Sequence, residues 1–364
     1  MRIGIPQEIV PGEKRVAVTP EGVARLTAAG HIVLVQAGAG QGSGYPDAAY
    51  QAAGADLLAS ADALWAAADL IAKVKQPLEA ETERFHVGLI YLGYCHAVYR
   101  PWLVDALLAK RVTALAAEEV ALPNGDRPLL IPMSEIAGRL AVLTAAHYLA
   151  EPPGSAGIML GCVGGQASTH VLIIGGGTVG RSAAAAACGL GAQVTVVDQA
   201  PDRVRERLLE AAPCARLSTE QASAEVVWEL LPGVDAIVNA VLWDPVTGEH
   251  LVTREGLRRM KRGAVIVDVD CTANGAIETT RPMTLDDPVF VEEGVIHYCV
   301  YNMPASVPQT STHAYAGALL PYLERVAEKG VDAAMAEWPE LRRGLVTRDG
   351  VLLDGHLAEA QGRN

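Results

Sequence analysis

The stretch Val171-Leu172-Ile173-Ile174-Gly175-Gly176-Gly177-Thr178-Val179-Gly180 decides how this chain is read. A short apolar run ends abruptly in glycines, and the pattern then turns helical, which is the signature of a buried strand, a tight turn and a helix N-terminus. Glycines let backbone N–H groups approach a pyrophosphate closely, and the helix dipole favours negative charge there. Asp198 closes the next strand-like run, Gln193 to Val197. A carboxylate at that position accepts hydrogen bonds from both ribose hydroxyls and repels a 2′-phosphate, so the expected cofactor is NAD. A bare GxGxxG would be an ordinary glycine turn; here strand, helix and strand-end acid occur together. The expected cofactor-binding residues are Gly175, Gly177, Thr178, Val179, Gly180 and Asp198, with Arg203 close behind the acid and bearing on the choice between NAD and NADP.

Outward from this motif the series continues with a strand Ala236 to Val241, a helix from Thr253 and a strand Ala264 to Asp270. That is enough for both halves of a doubly wound nucleotide fold. Upstream lies an alanine-rich helix, Ser134 to about Leu149, followed by the glycine-rich stretch 154–165, and the helix reads as a bridge between domains. The first third alternates too: strand Arg2 to Ile5, a helix capped by Thr19 with Pro20 at its first position and Gly30 past its end, then strands at His31 to Gln36, Leu70 to Val74 and Gly88 to Leu92, with helices Ser60 to Ala67 and Pro101 to Lys110. Such alternation predicts a parallel, helix-covered sheet. The tail is helical around His313 to Leu319 and hairpin-like from Leu345 to Leu353, too short for a third domain. The expectation is an α/β protein of two doubly wound domains, a Rossmann domain at 131–305 inserted into a discontinuous domain of residues 1–130 and 306–364.

With 364 residues the chain exceeds the size at which one core stops growing, so two domains are also the default by length. Half the residues are apolar and a fifth charged, the balance of a compact enzyme. The net charge of −13 and the lack of a basic stripe speak against nucleic acid as partner. Cys95, Cys162, Cys188, Cys214, Cys271 and Cys299 are scattered without a CxxC pair and read as reduced residues of a cytoplasmic protein. The N-terminus has no signal-peptide pattern, and no apolar run reaches a membrane-spanning length. No His, Cys and carboxylate cluster with metal-ligand spacing occurs, so no metal is expected.

A small carboxylate-bearing substrate needs a cation for its carboxylate and a group that exchanges protons at its amine or carbonyl. Arg15, in Glu13-Lys14-Arg15, and Lys75, in Lys73-Val74-Lys75, are candidate cations; the alternative for each is a solvated surface charge. His96 follows the strand Gly88 to Leu92, and strand ends form the ligand crevice of an open α/β sheet. Its alternative is a hydrogen-bonded core histidine, and pattern alone does not choose among nine. Asp268 and Asp270 close the strand Ala264 to Asp270 and, by alternation, share a face, where they either orient a ligand or cap the following loop.

These residues sit in segments that resemble the alanine dehydrogenase and transhydrogenase nucleotide-subunit family: Arg2-Ile3-Gly4-Ile5-Pro6-Gln7-Glu8, the run Glu13 to Pro20, Gln36-Ala37-Gly38-Ala39-Gly40, Lys73-Val74-Lys75 and Pro132-Met133-Ser134-Glu135-Ile136-Ala137-Gly138-Arg139. Asn302-Met303-Pro304-Ala305-Ser306-Val307-Pro308 is more similar to the alanine dehydrogenase branch. The resemblance implies that Arg15 and Lys75 bind the substrate carboxylate and carbonyl, with Tyr94 in the same pocket, and that His96 is the acid/base. It further implies that Met133 and Ser134 hold the nicotinamide half, that Asn302 and Met303 lie beside it, and that the protein assembles as a homohexamer. One departure stands out. Family members carry an aspartate four residues after the acid matching Asp268, where this chain has Thr272; Asp270 is the candidate replacement, or the pocket has changed substrate. Cys271 there is similar to the saccharopine and opine-type relatives.

The resemblance thus implies reversible NAD-dependent oxidative deamination of a small L-amino acid, with an amino acid or oxo acid as the small-molecule partner and neither nucleic acid nor membrane. The rivals are imine reduction on a bulkier amine with NAD(P)H, the soluble component of a transhydrogenase, and an NAD-binding protein without turnover.

Overall fold

The computed structural model describes residues 1–151, 154–164, 168–211, 216–243 and 249–363, leaving aside the side chains of residues 210 and 211, and counts below refer to these residues. Cys214 lies outside them. They form two compact units: Met1–Met133 with Val307–Asn364, and Ser134–Ser306.

In the unit Ser134–Ser306 the described residues carry a seven-stranded sheet ordered Val289–Glu292, Val295–Tyr298, Val265–Asp268, Ala236–Asn239, His170–Ile174, Gln193–Asp198, Leu217–Gln221. The first pair is antiparallel and all others are parallel. Val171 to Ile174 are buried on both faces, as a strand covered by helices on both sides requires. The chain steps from His170–Ile174 to Gln193–Asp198 on one side and returns to Ala236–Asn239 on the other, so the order reverses beside the glycine motif. The helix Thr178–Gly189 starts where the glycines end and buries Gly180, Ala183, Ala184 and Ala187. These small side chains let it lie close to the sheet, and Gly180 is the tightest point: a Cβ there would come within 1.8 Å of the Gly175 carbonyl oxygen.

Several elements differ from the sequence reading, which names no strand at Asp56–Leu58, Thr113–Ala116, Val289–Glu292 or Val295–Tyr298. The strand expected to reach Asp270 ends at Asp268, because the Asp268 carboxylate accepts the N–H groups of Asp270 and Cys271 (both 3.1 Å) and Cys271 turns with φ +54°. Alternation therefore does not relate the two acids. The helix expected from Thr253 is one turn, Arg254–Leu257, capped by the Thr253 hydroxyl. The strand Leu217–Gln221 was not foreseen; an edge strand of sequence Leu-Ser-Thr-Glu-Gln, half solvated, carries little apolar signal.

The other unit carries an eight-stranded sheet ordered Val351–Leu352, Leu345–Arg348, Thr113–Ala116, Ile90–Gly93, Leu70–Ala72, Arg2–Ile5, Ile32–Gln36, Asp56–Leu58. The two strands from the tail run antiparallel at one edge and the rest are parallel. Here the order reverses between Arg2–Ile5 and Leu70–Ala72. Leu64, Trp65, Tyr91, Leu103 and Leu107 pack one face of this sheet, and the helix Pro308–Glu337, broken at Gly330 (φ +77°), buries Tyr315, Leu319 and Leu323. No described helix is long and apolar enough to cross a membrane.

Gly180→Ala forces the Thr178–Gly189 helix away from its strand, and overpacking of this kind costs about 1–3 kcal/mol. The expected outcome is a lowered melting temperature in thermal unfolding, whereas Gly177→Ala, whose Cβ would meet nothing within 4 Å, leaves it unchanged.

Candidate active site

In an open α/β sheet, ligands bind outside the carboxyl ends of strands where the order reverses. In the first unit, four adjacent parallel strands end there in polar residues. Arg2–Ile5 leads to Glu8, Leu70–Ala72 to Lys73 and Lys75, Ile90–Gly93 to Tyr94 and His96, and Thr113–Ala116 to Glu118. Arg15 enters from the loop after the first of these strands. Its guanidinium is almost wholly buried and forked by Glu13, Nε to Oε1 at 2.7 Å and Nη2 to Oε2 at 2.5 Å, with Nη1 reaching Met133 Sδ at 3.0 Å. A bidentate pair of this sort fixes the plane of the guanidinium.

Tyr94 donates its hydroxyl to the Leu129 carbonyl at 2.8 Å, and its ring packs against His96 (5.7 Å between centroids) and edge-on to Tyr315 (5.2 Å). Burial pushes its phenol far up, so it stays neutral. His96 holds left-handed backbone geometry, φ +45°. The Glu118 carboxylate accepts the His96 N–H at 2.5 Å and the Cys95 N–H at 3.0 Å, and lies 3.9 Å from His96 Nδ1. Burial, together with the charges of Lys75 and Arg100, holds the imidazole down to about 3. Burial and the neighbouring Arg15 pull the Lys75 ammonium down to about 8. The cluster thus pairs buried cations, which can receive a carboxylate, with a neutral imidazole that is a free proton acceptor near neutral pH.

In the second unit, Gly175 adopts φ +95°, open only to glycine at no cost, and Gly177 is exposed. Asp198 accepts the Gly176 N–H at 2.7 Å and the Ala200 N–H at 2.8 Å, which ties the glycine loop to the next strand end. Thr178 and Val179, half-buried, begin the helix, whose first amides have no intrahelical acceptor. This cradle fits a dinucleotide pyrophosphate, with the acid beside it for a ribose. Arg203 lies exposed on the helix Pro201–Ala211. Asp268, buried, accepts Asn239 Nδ2 at 2.8 Å and the Thr280 hydroxyl at 2.5 Å. Asp270 is half-buried, and its Oδ2 is a buried acceptor without a hydrogen-bond partner among the described residues. Burial raises its carboxyl, the Thr272 hydroxyl bonding to it opposes this, and Asp268 adds to the rise. Asn302 is half-buried with φ +66°, Met303 packs into the core with Tyr298 and Val300, and Ser134 is half-buried on the helix Ile131–Ala150.

The structure therefore brings Arg15, Lys75, Tyr94, His96 and Met133 together in one unit, and the glycine loop, Asp198, Arg203, Asp270, Asn302, Met303 and Ser134 belong to the other. Sequence reasoning missed Glu13 and Glu118. For Glu118 the signal was an acid just past a strand, the criterion that selected Asp198, but the strand Thr-Ala-Leu-Ala at 113–116 is too alanine-rich to register.

Residues 4–137 match the family description "Alanine dehydrogenase/PNT, N-terminal domain" and residues 141–355 "Alanine dehydrogenase/PNT, C-terminal domain". The chain is 44% identical over 358 residues to an alanine dehydrogenase of Mycobacterium tuberculosis (strain CDC 1551 / Oshkosh), covering 98% of this chain and 96% of that protein. Among solved structures it resembles an L-alanine dehydrogenase with a TM-score of 0.91 at 35% identity, covering 100% and 99% of the two chains. A transhydrogenase from Sinorhizobium meliloti gives a TM-score of 0.79 at 26% identity, covering 98% and 100%.

Glu118→Ala leaves the buried N–H groups of Cys95 and the strained His96 without their acceptor, and hydrogen bonds to a charged group are worth about 1.5–3 kcal/mol each. Denaturant unfolding is expected to show a loss of roughly 2–4 kcal/mol, with Glu118→Gln, which keeps one acceptor oxygen, losing less.

Proposed function

The chain belongs to the alanine dehydrogenase/PNT family, and we propose that it catalyses NAD-dependent oxidative deamination of L-alanine to pyruvate and ammonia, together with the reverse reductive amination. The observation that carries the reading is the cluster of buried Arg15, Lys75 and Tyr94 with half-buried His96 at the strand ends of the first unit, set in a chain that matches named alanine dehydrogenases over nearly its whole length.

We assign residues 1–130 and 306–364 to the substrate domain and 131–305 to the NAD domain. In this assignment Arg15 and Lys75 bind the substrate carboxylate and carbonyl oxygen, Tyr94 lines the same pocket, and Asn302 is a further substrate-binding residue. Gly175, Gly177, Thr178, Val179 and Gly180 hold the pyrophosphate of NAD, Asp198 its ribose, and Met133, Ser134 and Met303 its nicotinamide half, while Arg203 lies close enough in sequence to Asp198 to temper the preference for NAD over NADP. When bound, NAD is the oxidant that accepts the hydrogen of the alanine α-carbon with its electron pair.

His96, neutral because burial and two cations oppose its protonation, takes the proton that the attacking water loses as the imine becomes a carbinolamine. The substrate carboxylate offsets part of the Lys75 and Arg100 field and so raises the affinity of His96 for that proton. Lys75 and Arg15 stabilise the charge that develops on oxygen before pyruvate leaves. Asp270, with its unfilled acceptor, takes a hydrogen bond from the departing nitrogen. Assembly as a homohexamer and a cytoplasmic setting complete the proposal; the family likeness supports the first, and the free thiols of Cys95, Cys162, Cys188, Cys271 and Cys299 accord with the second. Because Thr272 stands where family members carry an aspartate, a bulkier amine in place of ammonia is a second reading.

NADH formation from L-alanine, and NADH consumption with pyruvate plus ammonia or plus larger amines, tests the proposal. Alanine turnover is expected, falling by roughly 10²–10⁴-fold in His96→Ala, the usual worth of a general acid/base, while NADH binding is retained. Consumption only with larger amines, or NADH binding with no turnover, overturns it. The pH dependence follows from Lys75: pyruvate needs the charged ammonium, and the folded protein lowers that group to about 8, so kcat/KM for pyruvate is expected to hold below this value and decline above it.

A further inference from the structure

The carboxyl ends of Arg2–Ile5 and Leu70–Ala72 lie side by side where the strand order of the first unit reverses, and the residues that follow meet in a fully buried ion network. Lys73 Nζ lies 3.1 Å from Glu8 Oε2 and 2.6 Å from Glu81 Oε1, with all three side chains at most 3% exposed. Glu8 Oε1 also accepts the N–H of Val74 at 2.6 Å and of Lys75 at 3.3 Å, while Glu81 Oε2 accepts the Leu78 N–H at 2.9 Å.

These contacts complete the accounting for one short peptide. The Lys73 N–H goes to the Leu92 carbonyl, the Val74 carbonyl accepts from the Tyr94 N–H, the Tyr315 hydroxyl donates to the Lys73 carbonyl and the Tyr91 hydroxyl to the Lys75 carbonyl. Every backbone group from Lys73 to Lys75 is held. Buried ion networks are seldom the cheapest way to gain stability, since apolar residues of similar volume often do as well. What an ion network supplies that a greasy one does not is a fixed place for the backbone it bonds to. Here that backbone carries Lys75.

We propose that Glu8, Lys73 and Glu81 are positioning residues: Glu8 clamps the Val74–Lys75 peptide, Lys73 supplies the countercharge that lets Glu8 be buried as a carboxylate, and Glu81 anchors Lys73 from the far side, so that the Lys75 ammonium meets the substrate carboxylate from one fixed point. This rests on the reading above that Lys75 contacts the substrate. Of the bridge, it is the Glu8 carboxylate that acts on Lys75, together with Glu13 and against Arg15 and Arg100, while His96 beside them is neutral. Glu8 thereby also favours the charged form of Lys75, and removing its charge lowers the pH at which Lys75 loses its proton.

The test uses the full chain, pyruvate and ammonia as substrates, and NADH fluorescence as the measure of cofactor binding. Glu8→Gln keeps an oxygen for the Val74 and Lys75 N–H groups but deletes the charge. It is expected to raise KM for pyruvate by roughly tenfold with a smaller change in kcat, as loss of ground-state positioning does. The alkaline limb of kcat/KM should move down by about one pH unit, with NADH affinity within about twofold of wild type. Glu81→Gln, which leaves the Lys75 peptide untouched and loosens only Lys73, is expected to raise KM by a few-fold without moving that limb, and it decides the matter should Glu8→Gln fail to fold. Lys75→Ala is the control. If it loses pyruvate turnover while Glu8→Gln or, in its absence, Glu81→Gln keeps the wild-type KM, the positioning role is overturned and the Lys75 reading stands; if Lys75→Ala keeps the wild-type KM, the Lys75 reading falls.

Discussion

One interaction recurs at both candidate sites of this protein: a carboxylate at or just past the end of a parallel strand accepts backbone N–H groups of a loop. Glu8 takes those of Val74 and Lys75, Glu118 those of Cys95 and His96, Asp198 those of Gly176 and Ala200, and Asp268 those of Asp270 and Cys271. Parallel strands buried on both faces meet polar surroundings beyond their ends, and the loops that leave their carboxyl ends have no ladder partner. An ionised carboxylate satisfies two such donors at once and is a stronger acceptor than a carbonyl. The cost is desolvation, which pushes the carboxyls of Glu8, Glu118 and Asp268 upward. Each remains useful as an anchor because several donors converge on it.

The same burial sets the electrostatics of the cluster around Lys75. With Glu13 committed to Arg15 and Glu8 to a peptide, the negative charges near the site are already engaged, and Lys75 and His96 both shift toward their neutral forms. A site in this condition gains most from an incoming carboxylate, whose charge restores what burial took away. In the proposed function, binding of the anion and protonation of these groups are therefore coupled.

Much of this was legible in the sequence because it is written in residue types that have few other uses. The strand, glycines and acid of 171–198 fix the nucleotide fold through backbone sterics alone, and Thr19, Pro20 and Gly30 mark a helix correctly at both ends. The candidate site residues required the family resemblance, since a lysine or histidine past a strand end has several ordinary fates. What stayed hidden was tertiary. Glu118 follows a strand of alanines and leucine with weak β signal, Glu81 reaches Lys73 from a one-turn helix, and the partners of the Lys73–Lys75 peptide include Tyr315, 242 residues from Lys73 in a segment that reads only as helical.

The misplaced end of the strand Val265–Asp268 shows how such anchoring reshapes a local pattern. Val-Ile-Val-Asp-Val-Asp alternates well enough to continue to Asp270, and only the Asp268 carboxylate, capturing the next two N–H groups, turns the chain. The turn frees Asp270 from the pleat and presents it on a loop, where the nearby Thr272 hydroxyl opposes the upward push of burial on its carboxyl. A threonine cannot replace a carboxylate's charge, but it can orient one. On a loop held by Asp268, with Cys271 in the left-handed region, a carboxylate need not sit at a fixed distance from the strand, because the backbone between anchor and acid has already left the regular register. In the function proposed above, Thr272 is the neighbour of Asp270 on this loop, and Asp270 supplies the acid.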